Sequence, residues 1–423
     1  MADYTWAQMG ISLPTMYLPK QRKSLEKWCV IACDQYTSDP AYWQQVEQTI
    51  GAAPSTRHMV LPEVYLEADD VTERIAKTAD AMREYLHDVL EPIGPGMILI
   101  QRTFANNNLT RTGLLMALDL ERYDYAPDAK TLIRASEGTI PSRIPPRLRI
   151  RRNALLELPH IMVLLDDPNH TVIEPLTAKK EQFTKLYDSA LGFGMGAIEG
   201  YFVAPEQAEC VRHALSALWQ GPLDGGQGDH MLFAMGDGNH SLATAKAYWE
   251  ELKPTLSQAE QQEHPARFAL CEVVNLHDQG IVFEPIHRVV FGCTVQDVQD
   301  AIEALGMMGE NGPLHKMQIV CGEQTFDCAV PACSSVESGT ADVVIAEMLR
   351  QHPQASVDYI HGEAETRSLA QNGHNVGFLL PVLQKSDLFP VVAQTGPLPR
   401  KAFSMGEADE KRCYLEARAI RRD

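Results

Sequence analysis

The sequence lacks long hydrophobic segments and a leader of the secretory type. No stretch approaches the roughly 18 uninterrupted apolar residues that a membrane-crossing helix needs. The N-terminal residues also lack a basic region followed by an apolar core. The sequence therefore predicts a protein with no membrane-spanning segment and no secretory signal.

Positive charge is scarce as well. The chain has 37 Lys and Arg residues against 56 Asp and Glu residues, which gives a formal net charge of −19. A surface that binds nucleic acid needs a basic footprint to neutralise the phosphates. The charge balance therefore argues against a nucleic acid as the partner.

The nine cysteines are scattered along the chain. Cys29 with Cys33 and Cys328 with Cys333 are the closest pairs, and neither has the spacing of a CxxC motif. An odd number of cysteines without such motifs argues against a disulfide framework and against a zinc quartet. We therefore expect reduced thiols in a cytoplasmic protein.

Three further patterns are absent: a P-loop, whose GK[ST] signature occurs nowhere in the chain, a Rossmann fingerprint, and internal repeats. A chain of 423 residues with 45% hydrophobic residues is globular and too long for one ordinary core. We expect an N-terminal α/β region over 1–130, a core with the candidate site over 131–300, and a C-terminal α/β region over 301–423.

Alternating strand-like and helix-like segments predict an α/β or α+β fold with a mixed sheet. A helix is expected from Val71 onward, with Asp70 and Glu73 in a start that resembles a capping box. The segment 182–191 has helical character, and 267–284 resembles a hairpin that turns at 277–280. The expected buried strands are 97–100, 114–118, 161–165, 200–203 and 231–235.

The strongest local signal, hereafter the glycine loop, consists of Gly236, Asp237, Gly238, Asn239, His240 and Ser241. A predicted strand leads into it, and a helix that ends at Pro254 is expected to follow. Glycines let the backbone approach a ligand, and the first N–H groups of a helix attract phosphate. Asp237 adds a carboxylate suited to magnesium or to proton removal from a hydroxyl, and Asn239 and His240 add neutral donors. In the alternative interpretation, Asn239 only caps the helix and Asp237 only forms a turn.

Other segments are candidates on weaker grounds. The glycines in 192–196 follow the helical segment, so we interpret them as a helix end and not as a phosphate loop. An arginine run over 143–152 is expected to be extended, which places Arg147, Arg149 and Arg151 on one face. Arginine forks match phosphate or carboxylate oxygens, and ion pairs with the surplus acids are the alternative.

Glu137 and the pair His287 and Arg288 complete the set of candidates. Glu137 lies among polar residues and glycine, where it is either a general base or metal ligand, or a solvated side chain. His287 and Arg288 are an acid/base candidate at a strand end, with a satisfied core histidine as the alternative.

Six segments together resemble, in this order, the landmarks of the domain-of-unknown-function family 1015. They are 134–141 (RASEGTIP), 158–167 (LPHIMVLLDD), the glycine loop, 285–288 (PIHR), 378–381 (FLLP) and 396–401 (GPLPRK). Many members of that family carry Glu-Arg-Thr where this chain has 137–139, and Asp-Gly-His-His-Arg where it has 237–241. The resemblance covers nearly the whole chain.

The second of these elements resembles the nucleotide-binding motif of the ParB/sulfiredoxin superfamily, which includes partition CTPases, sulfiredoxin and a free-serine kinase. The relation implies a ParB/sulfiredoxin-like core with extra α/β segments, nucleotide phosphates near 238–241, and catalytic duty for Asp237 or Glu137. Sulfiredoxin's catalytic cysteine is not matched, and no helix-turn-helix is visible. The resemblance therefore disfavours sulfinic-acid repair and DNA binding.

One departure from the family pattern concerns the charge at the phosphates. Ser241 stands where the relatives have an arginine that would meet phosphate. A different cation must then serve, and Arg143, Arg147 or Lys401 is expected to do so.

The combined prediction is a magnesium-dependent phosphotransferase that uses a nucleotide (ATP, ADP or CTP) on a small hydroxylated metabolite, with free serine as the best guess. The candidate catalytic residues are Asp237, Glu137 and His240, of which Asp237 and Glu137 are also the candidate magnesium ligands. The candidates for binding phosphate or nucleotide are Gly236, Gly238, Asn239, Ser241, Arg143, Arg147, His287, Arg288 and Lys401. A nucleotide-gated switch or scaffold protein and a phosphohydrolase remain open as alternatives, as does a homo-oligomeric state.

Overall fold

Residues 3–219, 231–309 and 312–421 are described by the computed structural model of the protein. They fall into two units. The first unit consists of Met1–Ala135, Thr139–Ile281 and Glu407–Asp423, and the second of Ser136–Gly138 and Val282–Gly406. This division differs from the three consecutive segments expected from the sequence, because the C-terminal residues return to pair with strands of the first unit.

The first unit contains the larger share of the elements. Its strands are β1 (Ile11–Ser12), β2 (Met16–Pro19), β3 (Val30–Ile31), β4 (Leu90–Ile93), β5 (Met97–Thr103), β6 (Thr110–Asp119), β7 (Tyr123–Asp124), β8 (Ile133–Arg134), β9 (Leu156–Glu157), β10 (Met162–Leu165), β11 (Thr184–Ala190), β12 (Ala197–Val203), β13 (Phe233–Asp237), β14 (Phe268–Asn275), and, at the C-terminus, β21 (Cys413–Tyr414) and β22 (Arg418–Ala419). Its helices are α1 (Pro40–Ile50), α2 (Val71–Asp88), α3 (Ile144–Arg151), α4 (Glu174–Thr177), α5 (Pro205–Leu218), α6 (Asn239–Leu252) and α7 (Gln258–Glu263).

A mixed sheet organises the first unit, with the strand order β11-β12-β5-β6-β14-β10-β13-β8-β7 and β1 added beside β6. Most pairs are antiparallel, whereas β10 with β14, β13 with β8 and β7 with β8 are parallel. The mixed α/β fold expected from the sequence is confirmed. Short pairs join β21 to β3 and β22 to β9, which places the C-terminal residues in this unit.

The central strands are buried on both faces, which explains their continuous apolar runs. Along β5, Met97 and Leu99 pack into one hydrophobic cluster, whereas Ile98 and Ile100 pack into another. Since successive side chains of a strand point to opposite faces, the sheet lies between two cores. The predicted strands at 97–100, 114–118, 161–165, 200–203 and 231–235 correspond to β5, β6, β10, β12 and β13.

The helix predicted from Val71 is α2, but its predicted capping box is absent. The Asp70 side chain accepts a hydrogen bond from Arg74 Nε at 2.8 Å and makes no bond to the helix backbone. An ion pair one turn along the helix has replaced the cap.

The segment 182–191 was expected to be helical, and this prediction is wrong. It forms β11, which pairs with β12 in a hairpin whose turn contains the glycines of 192–196. Those glycines therefore follow a strand, and Gly194 takes a positive φ of +74° in the turn. Cross-strand pairing has overridden the local helical pattern.

The arginine run is also not extended as expected. Residues 144–151 form α3, which Pro145 and Pro146 start within its first turn. Arg147, Arg149 and Arg151 are therefore distributed around a helix and do not share one face of a strand.

The predicted hairpin over 267–284 is wrong as well. β14 pairs with β6 and β10 of the first unit, whereas β15 (Phe283–Phe291) belongs to a sheet of the second unit. The turn at 277–280 thus connects two sheets and does not close a hairpin.

The second unit has its own sheet and core. Besides β15 its strands are β16 (Leu314–Cys321), β17 (Gln324–Pro331), β18 (Ser356–His361), β19 (Asn375–Leu379) and β20 (Phe403–Met405), and its helices are α8 (Val295–Ala304), α9 (Glu337–Gln351), α10 (Glu363–Leu369) and α11 (Lys385–Thr395). The strand order is β17-β16-β19-β15-β18, and β20 pairs with β15. Ile319, Phe378 and Val290 of the sheet pack with Val298 and Ile345 of α8 and α9.

The nine cysteines are all free thiols. Within the described ranges, no helix is both long and apolar enough to cross a membrane.

Candidate functional site

The glycine loop joins a strand to a helix, as the sequence predicts. Gly236 and Asp237 end β13, Gly238 is the residue that caps α6, and Asn239 is its first helical residue. Asn239 is therefore not the helix cap, which removes one part of the alternative interpretation. The loop places the positive end of a helix of 14 residues beside a carboxylate.

Gly238 is required both by its backbone angle and by its surroundings. Its φ is +78°, in the left-handed region that side chains other than glycine disfavour. A Cβ at this position would lie 3.1 Å from the Cα of Ile161. The N–H groups of Ser241 and Leu242 both donate to its carbonyl at 3.0 Å, which closes the first turn of α6.

Two buried polar atoms near the start of α6 have no hydrogen-bond partner among the described residues: Asn239 Oδ1 and Thr139 Oγ1. The two chain segments meet here, since the N–H of Ile140 donates to His240 Nε2 at 3.2 Å. A buried polar group without a partner costs about 1–3 kcal/mol, so a native structure normally satisfies it. The start of α6 therefore has hydrogen-bonding capacity that the described residues do not use.

His240 is held by that same hydrogen bond. Because Nε2 accepts from a backbone N–H, the hydrogen-bond pattern assigns a neutral ring with its proton on Nδ1. The ring is thus anchored at the loop through Nε2.

Ser241 belongs to a buried hydrogen-bonded chain that the sequence did not suggest. Its Oγ lies 2.9 Å from His160 Nε2, and His160 Nδ1 lies 2.9 Å from the Tyr414 hydroxyl. The N–H of Cys33 donates to the same hydroxyl at 3.1 Å, and burial raises the pKa of Tyr414. His160 lies in the family segment 158–167, but no sequence signal indicated its contact with Tyr414, which is 254 residues away.

Asp237 has a basic neighbour that the sequence analysis missed. Its Oδ2 lies 3.6 Å from Lys411 Nζ, and the two side chains are 20% and 14% exposed. The sequence named Arg143, Arg147 and Lys401 as cations for the loop. Within the first unit, Lys411 is the lysine that stands next to the loop carboxylate.

Two of the three arginines of α3 pair with acids, as the alternative interpretation expected, and the third, Arg149, donates to the Thr72 hydroxyl at 3.2 Å. Arg147 Nε donates to Glu63 Oε1 at 2.7 Å, its Nη2 pairs with the same oxygen, and its Nη1 donates to the carbonyl of Arg143. Burial raises the pKa of Glu63, and Arg147 opposes that effect. Arg151 pairs with Glu157 at 2.6 Å. Arg143 itself is exposed.

The remaining candidates lie in the second unit. His287 Nδ1 accepts from the N–H of Leu380 at 3.1 Å, and burial lowers its pKa. Arg288 is fully buried and pairs through Nε and Nη2 with both carboxylate oxygens of Asp342, at 2.9 and 3.2 Å. The satisfied histidine is the interpretation that these contacts favour.

Two other candidates also belong to the second unit. Glu137 forms a short parallel bridge with Leu398. Lys401 has a positive φ of +58°, and its carbonyl accepts from Arg288 Nη1 at 3.0 Å. Asp237 and Glu137, the candidate magnesium ligands, thus lie in different units.

A family model described as "Protein of unknown function (DUF1015)" matches residues 15–379. The chain belongs to the DUF1015 family. The family resemblance that the sequence motifs suggested is confirmed. No curated protein matches the sequence.

Several solved structures resemble this DUF1015 member at a distance. A mutant of free serine kinase in complex with ADP is 9% identical, with 72% of this chain and 92% of that chain covered and a TM-score of 0.38. A conserved hypothetical protein from Pyrococcus furiosus is 10% identical over 73% and 95% of the chains, with a TM-score of 0.33. SbnI with a C-terminal truncation, from Staphylococcus aureus, is 11% identical over 69% and 82%, with a TM-score of 0.34. These likenesses are too weak to assign an activity.

Over residues 3–219, 231–309 and 312–421, no group of three or more His, Cys, Asp or Glu side chains is placed to hold a metal ion. Magnesium is commonly held through one or two carboxylates together with substrate phosphates. The first unit of this DUF1015 member offers Asp237 for that purpose. The donor set fits only a magnesium ion that is bound mainly by nucleotide phosphates.

A cavity of about 150 Å³ lies in the first unit beside α6. Ser241 and Thr244 of α6 line it, together with His160 and Tyr414 of the buried chain. Most of its wall is aliphatic, including Met59, Leu66, Met82, Ile150, Ile161 and Leu270. The last residue of the glycine loop therefore borders an apolar cavity.

Proposed function

We propose that the glycine loop binds the phosphates of a nucleotide and that the protein transfers a phosphoryl group to a hydroxyl of a small metabolite. The observation that carries the proposal is the unused hydrogen-bonding capacity of Asn239 Oδ1 and Thr139 Oγ1 at the start of α6. The Thr139 hydroxyl can donate to a phosphate oxygen. The Asn239 amide has nearly the same shape when turned over, and it then presents its NH₂ group as a donor.

The helix start supplies the remaining attraction for an anion. The first N–H groups of a helix have no partner one turn earlier, and they lie at the positive end of the helix dipole. Gly238 brings the backbone close to the ligand, since it has no side chain. Lys411 offsets the negative charge of Asp237 beside the bound phosphates.

In the proposed transfer, the acceptor oxygen forms a bond to the terminal phosphorus as the bond from phosphorus to the leaving nucleotide breaks. The proton of the acceptor hydroxyl passes to the Asp237 carboxylate, which is the nearest predicted base in the loop. The nucleotide leaves with one phosphate fewer. Asp237 therefore has to exchange its contact with Lys411 for the acceptor hydroxyl.

Magnesium is part of this proposal. A magnesium ion bound to the nucleotide would neutralise charge that develops on the transferred group. Asp237 is the residue of the first unit that would hold it.

A second candidate function is a nucleotide-gated binding protein with little or no turnover. The contacts of Arg147 with Glu63 and of Asp237 with Lys411 favour this alternative, because both charges are already balanced within the protein. Both candidates need the same phosphate site, and only turnover separates them.

The first test is a thermal-shift screen with ATP, ADP, CTP, GTP and pyrophosphate, each with and without magnesium. A ligand at a hundred times its dissociation constant stabilises a protein by about 2.7 kcal/mol, which the screen detects easily. Phosphate transfer to free serine, homoserine and threonine then separates a kinase from a switch. If none of the nucleotides shifts the melting temperature, the proposed function is wrong.

A further inference from the structure

We propose that the cavity beside α6 is the acceptor pocket and that it takes a small alcohol with a mainly aliphatic body. This inference rests on the proposed function and narrows its substrate class. Ser241 is the structural link, because it is both the last residue of the glycine loop and part of the cavity wall. A hydroxyl held at this end of the cavity lies beside Ser241, the loop residue that the cavity wall shares with the predicted phosphate site.

The size of the cavity sets the size of the acceptor. Its volume of about 150 Å³ equals that of an engineered apolar cavity in another protein that binds benzene. An occupant of about six heavy atoms or slightly more therefore fits. Because most of the wall is aliphatic, most of the occupant should be hydrocarbon and should carry no charge.

The charged residues of the wall do not offer free charges to a ligand. Glu63 pairs with Arg147, and Glu157 pairs with Arg151 and Arg418. Burial raises the pKa of the Cys33 thiol in the same wall, so this group stays neutral. Free serine carries an ammonium and a carboxylate, and both would lose their water here without a free counter-charge.

The wall also contains polar groups that can interact with a neutral oxygen. Ser241 Oγ and His160 Nε2 form a hydrogen-bonding end of the cavity, 2.9 Å apart. Arg151 Nε is buried and has no hydrogen-bond partner in the part of the chain that the structure describes. An alcohol oxygen both donates and accepts, so it can satisfy such groups where an alkane cannot.

The test compares cyclohexanol, cyclohexane and free serine as ligands of the full-length protein, by calorimetry or thermal shift. We expect cyclohexanol to bind, cyclohexane to bind more weakly, and free serine not to bind. Ala154→Met extends a wall residue into the cavity and should weaken cyclohexanol binding at least about tenfold, since overpacking a filled site costs roughly that much or more. Ala247→Met makes the same change on α6, away from the cavity wall, and should leave cyclohexanol binding unchanged.

Each result decides one question. If free serine binds and cyclohexanol does not, this inference is overturned and the proposed function still stands. The same holds if a folded Ala154→Met protein binds cyclohexanol as tightly as the wild type does. If that variant does not fold, Ser241→Ala replaces it and should remove the preference for cyclohexanol over cyclohexane. The Ala154→Met variant should bind nucleotide as the wild type does. If the wild-type protein itself binds no nucleotide, it is the proposed function that is overturned. Binding of cyclohexanol without phosphate transfer to any alcohol, in a protein that does bind nucleotide, overturns the acceptor role.

Discussion

The glycine loop and the segment 285–288 were both predicted to bind a ligand. They differ in whether their polar groups already have hydrogen-bond partners within the protein. At the loop, Asn239 and Thr139 each keep a buried polar atom without a partner among the described residues. In 285–288, His287 bonds to Leu380, and the Arg288 guanidinium donates to Asp342 and to two backbone carbonyls. Unused polar capacity distinguishes a candidate binding site from polar residues that hold a fold together.

The comparison is sharpest at Arg288, where we expect the largest effect. Replacing it in Arg288→Met leaves Asp342 and buried carbonyls without their donor, so the free energy of unfolding should fall by about 3–5 kcal/mol. Chemical denaturation measures this loss. Nucleotide affinity per folded molecule should not change.

The matched control is Arg350→Met, which removes an arginine that also pairs with its acid through two nitrogens but is exposed on α9. Exposed pairs contribute little, so its stability should stay close to that of the wild type. A stable Arg288→Met protein with weakened nucleotide binding would instead support the ligand role that the sequence suggested.

The second prediction concerns Asp237 and separates turnover from stability. Asp237→Asn keeps the shape of the side chain but removes its charge, so phosphate transfer should fall at least about a hundredfold, the usual scale for an acid/base group. Nucleotide affinity without magnesium should hold or improve, because a repulsion between the carboxylate and the phosphates is gone.

Asp166→Asn is the control, since Asp166 directly follows β10 of the same sheet and also has a basic partner, His277, at 2.7 Å. Its turnover should equal that of the wild type. Equal turnover in both variants would leave Asp237 as a turn residue only.

Arg147 tests whether α3 serves the fold or the ligand. In Arg147→Met, the mostly buried Glu63 loses its partner, and the free energy of unfolding should fall by about 2 kcal/mol at neutral pH. The double variant with Glu63→Gln should recover part of this loss, because no unpaired carboxylate remains.

The pH dependence has a definite sign. Burial raises the pKa of Glu63 in the folded protein, and loss of Arg147 raises that pKa further. Between the usual pKa of a glutamate and the raised value, the folded state binds more protons than the unfolded state, so stability falls as pH increases. The defect of Arg147→Met should therefore shrink when unfolding is measured near pH 4.5. A defect that is independent of pH contradicts the pairing with Glu63.

The smallest expected effect comes from Gly238→Ala. The variant should bind nucleotide at least about tenfold more weakly, because the added Cβ meets the backbone of Ile161 and displaces the loop from one charge-assisted contact. Gly194→Ala has a similar positive φ but open space around the new Cβ. Both variants should lose about 1–2 kcal/mol of stability to the backbone angle. Nucleotide titration should then distinguish them, and equal affinities would exclude the loop as the phosphate site.

The sequence by itself determined the elements whose signals are local. Continuous apolar runs indicated the strands that are buried on both faces, and two glycines between a strand and a helix indicated the glycine loop. These features can be predicted from the sequence because the backbone angle of Gly238 and the burial of β5 each depend on a few adjacent residues. The family resemblance, which combines several local motifs, could be recognised for the same reason.

Only the tertiary structure decided the pairing of residues that are far apart in the chain. It turned 182–191 into a strand by pairing it with β12, and it placed Lys411 beside Asp237 and Tyr414 beside His160. It also showed which polar groups are satisfied, as at Arg288, and which are not, as at Asn239. Hydrogen bonds and ion pairs act over a few ångströms regardless of sequence separation, so no local pattern records them.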